Sequence, residues 1–207
     1  MTDPLSFAAA ADAEELARAE LYGLLAQLWL APPDAALLGQ FGVVVTAAPQ
    51  PGGHLEAPWG SLVAAMRATT ADAAAQEHDA LFQGVGKPEV FAYASYYLAG
   101  FLNERPLAQL RHDLAALGLA RDPARLETED HVAYGFEVMR WLIAGDAVEV
   151  CNLEQQRRFF RAHLQPWVEQ LCDAVDKHPR AELWRAVAAL TRAFMQVETQ
   201  GFDLLES

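Results

Sequence analysis

Cysteine is nearly absent from this 207-residue chain, which has only Cys151 and Cys172. Two are too few for a disulfide framework, and their spacing matches no zinc-ligand pattern. Positive charge is scarce as well: 15 basic against 28 acidic residues give a formal net charge of −13. The deficit runs along the whole chain, with 3 basic against 11 acidic residues in 1–100 and 12 against 17 in 101–207. No basic face is left for a nucleic-acid backbone. A basic partner fits better, although surplus acid also keeps an apolar protein dispersed. No run of about 18 uncharged apolar residues is present to span a bilayer. The opening "MTDPLSFAAAADAEELARAE" lacks the basic region and apolar core of a secretory signal. These absences together lead us to expect a cytoplasmic protein without membrane insertion.

Ile and Thr are few, whereas Ala, Leu and Glu are abundant, which favours helix over sheet. Hydrophobic residues at 53% and charged residues at 21% describe a folded domain rather than a disordered chain. The length suits one domain with a sizeable core.

Helical periodicity recurs from end to end. Ala17, Leu21, Leu24, Leu25 and Leu28 share one face of a first helix that "APPD" at 31–34 stops. Asp34 is placed to cap a short helix carrying Leu37, Leu38 and Phe41, and 47–58 reads as a Pro/Gly loop. Residues 59–82 suggest two helices, the second ending at "LFQGVGKP". "YASYYLAGFL" (93–102) reads as a buried helix, and Pro106 opens another that Gly118 closes. Val132, Phe136, Met139 and Ile143 recur at helical steps before Gly145. Further helices follow at "NLEQQRRFFRAHL", after Pro166 and over 181–198. "FGVVVTAA" (41–48) is the one β-like run, and it is short. The pattern predicts an all-α bundle of roughly nine to eleven helices, with residues 1–207 forming one domain.

Several chemistries fail on residue spacing. A helical di-iron site needs Glu-x-x-His, yet the residues three before His54, His78, His112, His131, His163 and His178 are Pro51, Ala75, Gln109, Thr128, Phe160 and Val175. Gly84, Gly86 and Lys87 do not make a phosphate loop. Such a loop needs Gly where Leu81 stands and Ser or Thr where Pro88 stands. Ser95 sits in "YASYYL", outside any nucleophile elbow. We therefore expect no catalytic residue, no metal and no motif-supported cofactor.

"TEDHVAYGFEVMRWLI" (128–143) is the most informative stretch. Thr128 is a plausible helix N-cap, with Glu129 and Asp130 in a first turn where acids favour the helix dipole. For Asp130 and His131 the residues alone leave two readings open, a helix start and a binding handle. Adjacent helical positions point about 100° apart, so Asp130 need not orient His131 as in a catalytic triad.

This stretch, together with "EHDALFQGVGKPEV", "YASYYL" and the weaker "RFFRAHLQPWVEQLCDAV" and "VAALTRAFMQVE", resembles the TorD/DmsD (NarJ-like) family of redox-enzyme maturation chaperones. The resemblance runs from the first helix to the last. It departs at Thr128, where many relatives have proline, and at "AYAS" (92–95), where Pro-Tyr-Glu-Ser is common. It implies an all-helical fold without catalytic activity. It also implies binding of the twin-arginine leader, and of the apo-enzyme body, of a molybdenum-cofactor oxidoreductase, in monomers or helix-swapped dimers. "GVGKPEVFAYASYYLAGFLNERPL" resembles a branch with formate-dehydrogenase-type clients.

By this resemblance the leader-binding residues are Glu129, Asp130 and His131, with Leu81, Phe82, Ser95, Tyr96 and Tyr97. Asp130 would accept hydrogen bonds from a leader guanidinium, with His131 shaping or switching the contact. GTP binding occurs in some members, and no motif here supports it. Two other readings stand beside this one. One is an adaptor for a folded partner that reads no leader; the other is a GTP-binding cofactor carrier.

Overall fold

A computed structural model describes residues 4–43, 53–84, 87–122, 124–147 and 149–205, with side chains described from residue 13 onward. Ten α-helices follow one another among these residues: α1 (Pro4–Leu30), α2 (Ala35–Val43), α3 (Glu56–Ala68), α4 (Ala71–His78), α5 (Ala94–Ala99), α6 (Arg105–Ala116), α7 (Val132–Ala144), α8 (Leu153–His163), α9 (Val168–Asp176) and α10 (Leu183–Leu204). A single π-helical turn, Asp79–Gln83, extends α4. The all-α expectation holds. None of the described helices is long and apolar enough to cross a membrane. Of the β-like run 41–48, residues 41–43 end α2, and the remainder lies outside the described residues, as do Gly86 and residues 47–52 of the expected 47–58 loop, whose last three residues begin α3.

α1 lies along α7, α7 also meets α8, and α10 packs on α9 and α3. The expected α1 stripe is buried at Leu21, Leu25 and Leu28, while Ala17 at its edge is exposed. On α7, Val132, Phe136, Met139 and Ile143 are all buried, as their spacing predicts. Tyr22 of α1 meets Phe194 of α10 edge-on at 4.7 Å and Phe136 of α7 at 5.8 Å. Polar tips in this core find partners. Trp29 Nε1 donates to Thr191 Oγ1 (3.0 Å), and Trp184 Nε1 donates to the Leu28 carbonyl (3.2 Å). Arg18 makes a two-pronged contact with buried Glu198 at 2.8 Å on each oxygen, and Tyr22 donates its hydroxyl to the same carboxylate. This pairing fixes α1 against α10 without leaving a buried charge alone.

Helix ends follow the sequence signals where these are local. Asp34 Oδ1 accepts from Leu37 N (2.8 Å), Pro106 stands in the first turn of α6, and α7 stops at Gly145. The start of α10 is capped from a distance, because the Glu77 carboxylate accepts from the backbone of Glu182, Leu183 and Trp184 at 2.8–3.0 Å. That contact ties α4 to α10 and satisfies three N–H groups that a helix start leaves without partners. After the π turn, Gly84 has φ +60°, and a Cβ there would fall 2.0 Å from the Lys87 carbonyl oxygen. The glycine is needed for the sharp reversal, as its place in the sequence suggested. The expected buried helix 93–102 is corrected. Only Ala94–Ala99 is helical, and Leu98, Phe101 and Leu102 are 42%, 73% and 40% exposed, because the chain turns at Gly100 and Asn103.

A candidate leader-binding junction

Residues 92–94 and 130–132 run antiparallel. Ala94 N donates to the Asp130 carbonyl (3.0 Å), and Val132 N donates to the Ala92 carbonyl (2.9 Å), around a lone bridge between Tyr93 and His131. This pairing holds 130–131 extended, so α7 starts at Val132. Thr128 is therefore not its N-cap, and Glu129 and Asp130 are not in its first turn. His131 caps α7 instead, with Nδ1 accepting from Ala133 N at 3.3 Å.

Asp130 caps a different helix. Its Oδ2 accepts from Ser95 N (3.0 Å) and Ser95 Oγ (2.5 Å) at the start of α5, and its Oδ1 accepts from Thr128 Oγ1 (2.6 Å). With its own carbonyl on Ala94 N, Asp130 satisfies two of the first amides of α5. The adjacent acid and imidazole thus point to separate helices, which is why they cannot work as a catalytic pair. Asp130 and His131 are 3% and 7% exposed. Burial drives the His131 imidazole down to about pKa 4, against the raising influence of Glu127 and Asp130 and with some help from His78. The ring is therefore neutral near pH 7, and the acceptor role of Nδ1 places its proton on Nε2. Tyr93 faces the ring edge-on at 5.1 Å and hydrogen-bonds Glu127 through its hydroxyl.

Glu129, the first acid of the three, turns the other way. Its Oε2 accepts from Arg111 of α6 at 2.9 Å, and its Oε1 lies 3.8 Å from Arg121 Nε. Burial raises the Glu129 carboxyl, but the Arg111 hydrogen bond, a backbone N–H and the two guanidinium charges outweigh it and hold the group below its usual range. Glu129 lines two adjoining hollows. A cleft of about 730 Å³ runs between α1, α6 and α7 over Leu30, Leu110, Leu114, Val138 and Trp141. A side pocket of about 200 Å³ is walled by Ala94, Leu98, His131, Leu164 and Trp167. Gly135 and Phe159 line both hollows. Gly135 lets Leu164 approach closely, since a Cβ there would fall 2.7 Å from Leu164 Cδ2 and that methyl would have to shift. Another cleft, of about 760 Å³, lies over Arg18 and Glu198, and none of the sequence-predicted residues lines it.

The structure brings Ser95, Glu129, Asp130 and His131 together, sets Tyr97 against Trp167 of the side-pocket wall, and leaves Leu81, Phe82 and Tyr96 elsewhere. Leu81 is wholly buried, and its carbonyl accepts from Glu89 N and Val90 N. Phe82 packs among Trp29, His78 and Trp184. Tyr96 stacks on Phe91 at 4.2 Å. Tyr97 stacks on Trp167 at 5.6 Å, and its hydroxyl has no hydrogen-bond partner among the described residues. Arg111 and Arg121 escaped the sequence reading. Lying 18 and 8 positions before Glu129, they have no local signature that links them to it. Among the described residues no group of three or more His, Cys, Asp or Glu is placed to hold a metal ion.

A family model described as nitrate reductase delta subunit matches residues 50–173, more than half of the chain and all of this junction. The chain belongs to that family. It is also similar to proteins named chaperone protein TorD from Vibrio cholerae serotype O1, strains O395 and M66-2, at 29% identity over 132 residues. The match to strain N16961 has the same identity and length. Each covers 60% of this chain, and the chain spans 60% of the length of these curated relatives.

Proposed function

We propose that the chain is a cytoplasmic maturation chaperone without catalytic activity. It binds the twin-arginine leader, and with it the body, of a molybdenum-cofactor oxidoreductase of the DMSO reductase or formate dehydrogenase type, and holds the client until its cofactor is in place. The observation that carries this reading is the cleft that sets Glu129 beside an apolar floor. A leader joins a basic segment to an apolar one, and the cleft offers a carboxylate beside a hydrophobic floor. The net charge of −13 steers encounter, and burial in the cleft supplies affinity.

The guanidinium contact falls to Glu129, because Asp130 is buried and held by Ser95 and Thr128 at the start of α5, whereas the hydrogen-bond partner of Glu129 is the half-exposed Arg111. Asp130 and His131 act as positioning residues. By fixing the starts of α5 and α7, they place Glu129 between the two hollows. The family members named TorD are chaperones, which supports the role. The exposed trio Leu98, Phe101 and Leu102 at the end of α5 favours the adaptor reading as a second possibility, since such a patch suits a folded partner.

The test is titration of a labelled leader peptide by fluorescence anisotropy. Replacing both leader arginines with lysine keeps the charge but loses the planar fork. The expected loss is about tenfold in affinity, the scale of one charge-assisted bidentate contact. In Glu129→Gln the two leaders should bind alike. Raising salt should chiefly slow association. Equal binding of both leaders by the unmodified chain would remove Glu129 from arginine reading, and binding of client body without any leader affinity would favour the adaptor.

A further inference from the structure

Glu129 already holds a pair of arginines, and they belong to the chain itself. Arg111 reaches it from α6 through one hydrogen bond, and Arg121 reaches it from the segment after α6. Resting on the leader-binding reading above, we infer that Arg111 and Arg121 are a resident arginine pair occupying the leader's subsite at Glu129, and that a leader guanidinium binds by displacing Arg111.

Crowding at the carboxylate favours the exchange. A guanidinium fork uses both oxygens of a carboxylate, and here one oxygen is bonded to Arg111 while the other faces Arg121. Neither contact is a fork, but a third guanidinium would crowd a carboxylate that is only 12% exposed, so a leader fork takes the place of one of them. Arg111 is the looser of the two. Its side chain is 51% exposed, against 33% for Arg121, whose NH1 also donates to the carbonyls of Arg125 (2.7 Å) and Glu127 (3.3 Å). Arg121 is thereby tied to its own loop, whereas Arg111 can swing into water from the side of α6.

The arrangement also answers a problem of the leader-free protein. The Glu129 side chain is only 12% exposed, and a carboxylate so withdrawn is costly to leave without a counter-charge. The resident arginines supply that charge when no leader is present, and the leader supplies it when bound. Because one arginine–carboxylate pair replaces another, the leader gains only the difference between the two pairs, and it stays releasable.

The test is leader binding by Arg111→Gln. Removing the competitor should tighten binding of the twin-arginine peptide about two- to fivefold, the range expected when an exposed pair is lost, mostly through slower dissociation. Removing a positive charge also strengthens general attraction to a basic peptide, so Arg105→Gln, an exposed position at the start of the same helix, serves as the charge-matched control and should change binding far less. The gain should vanish when Arg111→Gln is combined with Glu129→Gln, and it should be absent for the twin-lysine peptide. Thermal melts of each variant verify folding; Arg111 is half exposed, so little change is expected. Arg111→Gln binding no tighter than Arg105→Gln overturns the exchange while leaving leader binding intact. No binding of the leader by the unmodified chain overturns both.

Discussion

Asp130→Ala is expected to destabilise the protein by about 2–4 kcal/mol, lowering the melting temperature by roughly 5–15 °C for a chain of this size. The reason is the number of groups that depend on one buried carboxylate. Without it the Ser95 amide, the Ser95 hydroxyl and the Thr128 hydroxyl all lose their acceptor, and the first turn of α5 loses its cap. Asp130→Asn separates shape from charge. Its carbonyl oxygen can still accept from Ser95, and its amide can donate to Thr128 once that hydroxyl turns, so the loss should be about 1 kcal/mol. Urea denaturation of the three proteins reads the difference. Leader binding should follow the same order, with Asn close to the unmodified chain, because Asp130 positions Glu129 rather than touching the ligand. A stability change under about 0.5 kcal/mol for Asp130→Ala would be that of a solvent-facing residue and would return Asp130 to direct arginine contact.

One of the two readings the residues leave open, a solvent-facing binding handle, would give near-neutral stability with lost binding, and the reason the sequence cannot decide is physical. Where a helix end is decided within one turn, its residues announce it, as at Asp34, Pro106 and Gly145. The start of α7 is decided by a segment some 38 residues away, since residues 92–94 pair with 130–132 and delay the helix to Val132. Thr128, Glu129 and Asp130 look like an ordinary capped first turn because nothing nearby reveals that pairing. The same holds for Leu81 and Phe82. They end a helix that the sequence marks clearly, yet Leu81 is buried in the core and Phe82 packs edge-on against Trp184. Arg111 lies beyond the apolar stripe of α6, where an arginine normally faces solvent. Its link to Glu129 is a property of the packed helices, so the Glu-Asp-His stretch is legible as a candidate site while the division of labour within it is not.

Acid should destabilise the fold through His131, and the sign follows from its depressed pKa. The folded value is about 4, against an ordinary 6.5. Between those values the unfolded chain takes up a proton that the folded chain refuses, so stability is fully present above about pH 6.5 and is lost as pH falls toward 4, below which this contribution is flat. The gap of 2.5 units corresponds to roughly 3 kcal/mol. Protonation at Nδ1 would remove the acceptor that caps Ala133 and set a charge in the ring's buried site beside Tyr93. Other groups fall in the same direction. Burial lowers His78 and His163, and Glu129, Asp113 and Glu89 are held below their usual values by their hydrogen bonds and nearby positive charges. The isolating variant is therefore His131→Asn, whose side-chain oxygen can keep the α7 cap without titrating. Urea denaturation at pH 7, 5.5 and 4 should show the Asn protein losing about 3 kcal/mol less than the unmodified protein across that range. Parallel curves for the two proteins would mean that His131 accepts its proton in place, and the junction would then have to open to water well above pH 4.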